Sequence, residues 1–217
     1  MSQLLLEEEI EVENLIHFLF AQTLYPKFYW KEGKKREVAG VGAALAYNEL
    51  PHFKDKSIPY LFGGCDFMPQ KGKRWSAFPP SFYFLPLIEV RKEGKQTLLR
   101  LYSSDKRIPL PIEKEKKPHL DGKLVMRCDQ PEYKEWKNSI NTILKGISEK
   151  KYKKVVLARE SSLTIDSPPS PWALVEKLSK STHAFALEVK AGEAFIGNSP
   201  EPLYIREEKR IESHAIA

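Results

Sequence analysis

The sequence predicts an α+β fold of mixed, mainly antiparallel sheets with packed helices, and three observations carry that expectation. Apolar runs of strand length recur in pairs joined by short polar turns, the pattern of antiparallel hairpins. Three segments change to helical spacing and stand between those pairs. No strand is followed by the glycine-rich turn and helix that open a parallel βαβ unit, which argues against a doubly wound parallel sheet.

From Glu11 to Leu24, Val12, Leu15, Ile16 and Leu19 fall at helical spacing and predict an amphipathic helix. Phe28-Tyr29-Trp30, the charged stretch Lys31 to Glu37 and the apolar run Val38 to Tyr47 predict strand, turn and strand. Gly40 and Gly42 inside the second run signal a bulge or a close backbone approach. Phe62-Gly63-Gly64-Cys65-Asp66-Phe67, followed by Trp75 and Phe78-Pro79-Pro80, predicts tight backbone against a core. Ser81 to Val90 and Thr97 to Tyr102 form a hairpin across the polar stretch containing Gly94, with Pro86 marking an edge, a bulge or a break. Glu113-Lys114-Glu115-Lys116-Lys117-Pro118 is an exposed loop.

The clearest helix is Tyr133 to Lys150, where Trp136, Ile140, Ile143, Leu144 and Ile147 share one face and Pro131 stands just ahead of the start. Val155-Val156-Leu157-Ala158 reads as a buried strand. A further helix starts with Ser170 as cap and Pro171 in its first turn, with Trp172, Val175 and Leu178 inward. His183 to Val189 alternates, turns at Lys190 to Glu193 and returns through Ala194 to Gly197, while Pro202 to Arg206 and Ile211 to Ala217 supply two more strands. The last of these has no terminating signal, and truncation is the expectation. We divide the chain into 1–130, mainly hairpins, and 131–217, which opens on the long helix.

With 217 residues, 41% of them hydrophobic, the chain can bury a substantial core. Two cysteines far apart and no signal peptide point to a reduced, cytoplasmic protein. No apolar run is long enough to span a bilayer, and the five single histidines have no zinc-site spacing. The formal charge is +6, but basic residues alternate with acidic ones, as in Arg206-Glu207-Glu208-Lys209-Arg210. Solvated surface is therefore expected, with no nucleic acid as partner. An unrelated basic binding module would need a continuous positive face carrying exposed aromatics.

Two places can carry chemistry. Lys154 stands at the edge of the expected strand, where alternation sends Lys153 and Lys154 to opposite faces. A lysine taken out of water is pushed towards its neutral form and can act as a base, whereas a lysine at a strand end is ordinarily solvated. Glu201 sits between Pro200 and Pro202 in a turn after an apolar strand. Prolines fix the backbone there, and a buried carboxyl could serve as a general acid, although turn chemistry alone also explains Asn198, Ser199 and the prolines.

Taken in order, Tyr29-Trp30, Phe62-Gly63-Gly64, Trp75 and Phe78, Leu85-Pro86, Trp136, Lys154 to Arg159 (KVVLAR), Phe195 to Glu201 (FIGNSPE) and Glu212 to Ala217 (ESHAIA) resemble the isochorismate synthases and related chorismate-utilising enzymes. The KVVLAR and GxSPE segments are the specific ones. The resemblance implies chorismate as substrate, with Lys154 as the general base that activates water against C2. It implies Glu201, 47 positions further on, as the general acid that protonates the hydroxyl leaving C4. Ammonia-using branches of the family typically lack the lysine, which favours the water-using ones. Salicylate synthases keep both residues and are the alternative.

His214-Ala215-Ile216-Ala217 resembles the start of the family's AGT segment. The family's magnesium ligands and most of its carboxylate-gripping groups come after that point, so Mg²⁺ is implied as cofactor with its ligands expected beyond these residues. A chain of this kind is expected to be inactive alone, as a non-catalytic fragment, unless a complementing C-terminal chain or self-association through an exposed edge completes it.

Overall fold

The computed structural model describes residues 3–33, 36–51, 60–66, 77–103, 112–178, 183–200, 204–207 and 209–213. Expectations for Phe67, Trp75, Glu201 to Leu203 and His214 to Ala217 lie outside the described residues. Packing divides the chain into two compact units, Met1–Leu120 with Ser170–Ala217, and Asp121–Pro169.

The first unit is built on a seven-stranded antiparallel sheet. Its strands are β1 (Gln3–Glu9), β2 (Lys27–Glu32), β3 (Arg36–Val41), β7 (Ile88–Glu93), β8 (Gln96–Ser103), β11 (His183–Lys190) and β12 (Glu193–Ser199). They lie in the order β1-β8-β7-β3-β2-β11-β12. A three-stranded sheet of β4 (Leu45–Tyr47), β6 (Ser81–Leu85) and β5 (Phe62–Cys65) belongs to the same unit, as does the small pair β13 (Ile205–Glu207) and β14 (Arg210–Glu212).

Alternation decides which face each side chain takes. Tyr29, Ala39, Val41, Val90, Leu99, Leu101, Ala184 and Ala186 point to one face, where α1 (Leu15–Ala21) and α3 (Pro171–Leu178) cover them. Phe28, Trp30 and Val38 point to the other, against Phe62, Phe82 and Phe84 of the small sheet. The Phe28 and Phe62 rings stack with centroids 4.5 Å apart.

The first helix is shorter than the expected Glu11 to Leu24, because Asn14 caps it. The Asn14 side chain accepts from the amides of Ile16 and His17 at 2.9 and 3.3 Å, which leaves residues 11–13 outside the helix. The third helix starts where expected, with the Trp172 amide donating to the Ser170 hydroxyl at 3.3 Å.

Pro86 proves to be a break. The single run expected from Ser81 to Val90 becomes β6 in the small sheet and β7 in the large one. The run Val38 to Tyr47 breaks at the same level: Gly42 has φ of +65°, a conformation glycine adopts without strain, and β3 and β4 fall on either side of it. The strand β1 was not expected from the sequence. Its acidic half pairs with β8, Glu7 opposite Arg100, whose guanidinium donates to the Glu7 carboxylate.

Charges buried in the first unit are paired. Glu89, fully buried, accepts from Arg91 at 2.7 Å and from Arg100 at 3.5 Å. Burial pushes its carboxyl above the usual range, while the two guanidiniums act against that shift. Glu188 accepts from the Trp172 indole at 2.6 Å and the Gly192 amide at 2.9 Å, with the Lys27 ammonium 3.8 Å away. Burial pulls Lys27 below the ordinary lysine range and Glu188 opposes it.

The Asp121–Pro169 unit contains β9 (Leu124–Gln130), α2 (Tyr133–Ser148) and β10 (Glu160–Ile165). β9 and β10 pair antiparallel from Leu124↔Ile165 to Gln130↔Glu160. The Lys123 amide donates to the Asp166 carboxylate at 2.8 Å, and the Asp166 amide to the Lys123 carbonyl at 3.2 Å, which fastens one end of the pair. Among the described residues of this unit Gly146 alone is buried. The expected buried strand Val155 to Ala158 is corrected here: residues 154–159 lie outside any strand, and Val156 is 83% exposed. The apolar run is real, but no strand among the described residues offers it a ladder.

Candidate active site

The segment carrying Lys154 is fixed at both ends. At its start, α2 finishes at Ser148 and Lys150 takes φ of +58°, which turns the chain. The amides of Lys150 and Lys151 then donate to the carbonyls of Ile147 and Gly146 at 3.0 and 2.9 Å, satisfying acceptors that a helix end leaves open. Tyr152 folds back over the helix, its hydroxyl 3.5 Å from the Thr142 carbonyl and its ring across Gly146, where any Cβ would meet it. Lys153 and Lys154 follow, both exposed.

At the far end, the Arg159 guanidinium lies 5.9 Å from the centre of the Trp136 ring and 3.9 Å from the Asp129 carboxylate. Asp129 also accepts from the Ser161 hydroxyl and from Arg127 at 3.0 Å. The Ser161 hydrogen bond, followed by the one from Arg127, holds its carboxyl below the usual aspartate range. Lys154 itself makes no ion pair among the described residues.

The segment leading to Glu201 belongs to the first unit. β12 runs to Ser199, paired with β11 so that His183 faces Ser199 and Phe185 faces Gly197. A side chain at position 197 would collide with the Phe185 ring, which accounts for glycine at that point of the GxSPE segment. The Asn198 side-chain amide donates to the Leu178 carbonyl at 3.2 Å, tying the strand to the end of α3. Glu201 lies outside the described residues, and Lys154 belongs to the other unit.

The first unit also holds an apolar cleft of about 360 Å³, lined by residues that include Cys65, Asp66, Phe78, Phe82, Leu187 and Phe195. That volume suits a small molecule. Among its described lining residues none is cationic. Among the described residues no three of His, Cys, Asp and Glu converge as a metal would require.

The buried groups that sequence reasoning did not single out are the charged residues inside the large sheet. Glu89 and Arg91, with the exposed Glu93 at the strand end, recur at every second position of β7 beside Arg36 and Arg100, a pattern visible as charge alternating with the apolar Ile88 and Val90. Their partners are one another, and they serve the sheet.

A family model described as "Chorismate binding enzyme" matches residues 49–217. The isochorismate synthase MenF of Bacillus subtilis is 29% identical over 177 residues, covering 73% of this chain and 37% of that protein. The Escherichia coli isochorismate synthase MenF is 27% identical over 222 residues, covering 94% of this chain and 51% of its own length. A chloroplastic isochorismate synthase of Catharanthus roseus is 25% identical over 219 residues, covering 83% of this chain and 38% of that protein. The solved structure of Escherichia coli MenF, the menaquinone-specific isochorismate synthase, superposes with a TM-score of 0.77 at 23% identity. It shares the fold over 97% of this chain and 53% of its own. The chain thus spans between about a third and a half of the length of these relatives. No helix among the described residues is long and apolar enough to cross a membrane.

Proposed function

Because the chain belongs to the chorismate binding enzyme family, we propose that it supplies the acid and base residues of an isochorismate synthase, with residues 1–130 as the N-terminal part of that fold and 131–217 as the first part of its catalytic region. The observation that carries this reading is the placement of Lys154. It heads the KVVLAR segment inside the matched region, on a segment held at one end by the Tyr152 fold-back onto Gly146 and at the other by Arg159.

The proposed reaction exchanges one hydroxyl position for another. The neutral Lys154 amine takes a proton from water as the oxygen bonds to C2 of chorismate. Both ring double bonds shift, from C1=C2 to C1=C6 and from C5=C6 to C4=C5, and the C4 hydroxyl leaves as water with the proton of Glu201. Lysine ends protonated and glutamate ionised, and proton exchange with solvent resets both. Two groups are needed because one oxygen arrives as the other departs, and no single side chain can serve both. Magnesium, when bound, would neutralise charge on the substrate carboxylates, with ligands from outside the described residues. Following the relatives named MenF, we place the reaction on the route to menaquinone rather than to siderophores.

The test supplies the purified chain with chorismate and Mg²⁺, alone and together with a separately produced second half of the Escherichia coli enzyme. The expected result is isochorismate from the pair, reduced on the order of 10²- to 10⁴-fold by Lys154→Ala with the circular dichroism spectrum unchanged. Lysine-independent product would sink the assignment. Unfolding of the variant would make Lys154 a structural residue, and salicylate as product would move the protein to the neighbouring branch.

A further inference from the structure

Three donors meet at one buried carboxylate in the sheet unit. The Gly192 amide donates to one oxygen of Glu188 at 2.9 Å, the Trp172 indole donates to the other at 2.6 Å, and the Lys27 ammonium stands 3.8 Å from that second oxygen. Lys27 and Glu188 are each 3% exposed, and Trp172 is buried as well. A side chain with two acceptor oxygens is what donors on both sides require: glutamine in the same place would turn its own amide donor towards one of them. Compared with apolar residues of similar volume, a buried ion pair adds little stability or none. Stability alone therefore gives no reason for glutamate at this position.

The ladders on the two sides of β11 supply a reason. Towards β2 the pairing is regular from Ala184↔Lys31 to Glu188↔Lys27, and the buried positions Ala184, Ala186 and Glu188 alternate with half-buried ones. Towards β12 the pairing is even from His183↔Ser199 to Glu188↔Ala194 and then shifts, so that Lys190 faces Glu193 and Val189 is the extra residue of a bulge. A strand with an uneven step beside its turn can close one residue out of register, and β12 has no strict alternation of burial to forbid it. In the turn itself, the Gly192 amide is held by Glu188, which β2 and α3 fix through Lys27 and Trp172. One carboxylate thus carries the frame of the sheet to the turn. At the other end of β12 the same register sets Gly197 against the Phe185 ring, where a side chain would collide, and leads through Ser199 towards Glu201 two residues on.

We propose that Glu188 is a positioning residue for the GxSPE segment: it sets the register of β12 against β11, and with it the point at which that segment leaves the sheet. The register rests on the contacts alone, and its consequence for turnover rests on the reading of Glu201 as the acid.

The experiment compares Glu188→Gln with Lys27→Met in the 217-residue chain. Nuclear Overhauser contacts between backbone protons of Phe185 and Gly197, and of Leu187 and Phe195, read the register. Lys27→Met removes the buried ammonium and leaves both hydrogen bonds of Glu188 in place, so it should keep both contacts. Glu188→Gln should lose them in favour of contacts displaced by one residue, from Phe185 to Ile196 or to Asn198. Unchanged contacts in Glu188→Gln, or the same displacement in Lys27→Met, would overturn the proposal. Should Glu188→Gln fail to fold, the unsubstituted chain still decides: its Gly192 amide should exchange as slowly as the amides of the β11–β12 ladder, and free exchange there would overturn the proposal.

In the paired assay used for Lys154, Glu188→Gln should lower kcat on the order of 10- to 10²-fold and leave KM within about twofold, because a displaced acid acts on the chemical step more than on substrate capture. Lys27→Met should turn over like the unsubstituted chain. A displaced register with kcat unchanged would remove the positioning role. The expected register changes with no product from the unsubstituted pair would leave Glu188 as the residue that sets β12 and remove the catalytic reading.

Discussion

The Asp121–Pro169 unit and the unit that carries the seven-stranded sheet dispose of their apolar side chains in opposite ways. In the sheet unit, strand alternation gives each face an opposing layer, helices on one side and the three-stranded sheet on the other, and even its charged residues are buried in pairs. In the other unit an equally clear amphipathic helix buries its apolar face only in part, and an equally regular ribbon leaves Leu124, Val125, Met126 and Leu163 in solvent. Secondary structure therefore says little about self-sufficiency. A layer opposite each apolar face is what separates the two units.

The comparison can be broken first at Trp172. Its ring is 1% exposed and its indole donates to buried Glu188, so Trp172→Ala removes a large buried side chain and leaves a carboxylate short of a partner. A loss of about 3–5 kcal/mol is expected, read by urea denaturation and by faster hydrogen exchange in β11 and β12. A loss below about 1 kcal/mol would mean that the core of this unit does not depend on α3.

In the coreless unit the matching substitution, Gly146→Ala, should behave differently. Alanine favours the helix by up to about 1 kcal/mol, but its Cβ meets the Tyr152 ring. The net change in stability is expected to stay within about 1 kcal/mol, while Tyr152 is displaced and the amide of Lys151 loses protection in hydrogen exchange. Displacement of Tyr152 with the amide of Lys151 still protected would show that the fold-back does not position the Lys154 segment.

The smallest effect is expected at Asp129. Its folded carboxyl titrates below the ordinary value of 3.8, chiefly because of the Ser161 hydroxyl. It therefore contributes stability that is present above that value and lost as pH falls through the lowered one. Ser161→Ala should move the Asp129 midpoint upwards in a carbon-detected NMR titration and diminish that acid-range contribution. An unmoved midpoint would assign the shift to Arg127.

What the sequence made legible follows the same division. Hairpins and helices of the sheet unit could be read because one face of each is buried, so residue type reports on position: His183 to Lys190 and the Ser170 cap are examples. β1 escaped notice because its second half, Glu7 to Glu9, is acidic throughout, and its match to Arg100 lies 93 residues away. β9 and β10 escaped because strands exposed on both faces have no alternation to show. Val155 to Ala158 misled in the opposite direction: its composition describes an environment that the described residues do not supply. Lys154 and Glu201 take their catalytic roles from the family motifs alone, since a lysine at a strand end and a glutamate between prolines have ordinary structural readings of their own.

The corner at Gly42 and Pro86 has a consequence for how this chain can change length. β3 pairs with β7 up to Val41↔Ile88, and β4 pairs with β6 from Leu45↔Leu85, so one antiparallel ladder crosses from the large sheet to the small one with both strands bent together. The Ala44 amide donates to the Leu85 carbonyl at 2.8 Å, and the Leu87 amide to the Val41 carbonyl at 3.1 Å, which keeps the two strands in step through the bend. An inserted or deleted residue in 42–44 alone would slip β4 against β6 and reverse which of Leu45, Ala46 and Tyr47 face inward. A compensating change in 86–87 would restore the pairing, so indels at this corner are tolerated as matched pairs or absorbed by a bulge, and the two short stretches act as a single unit of length variation.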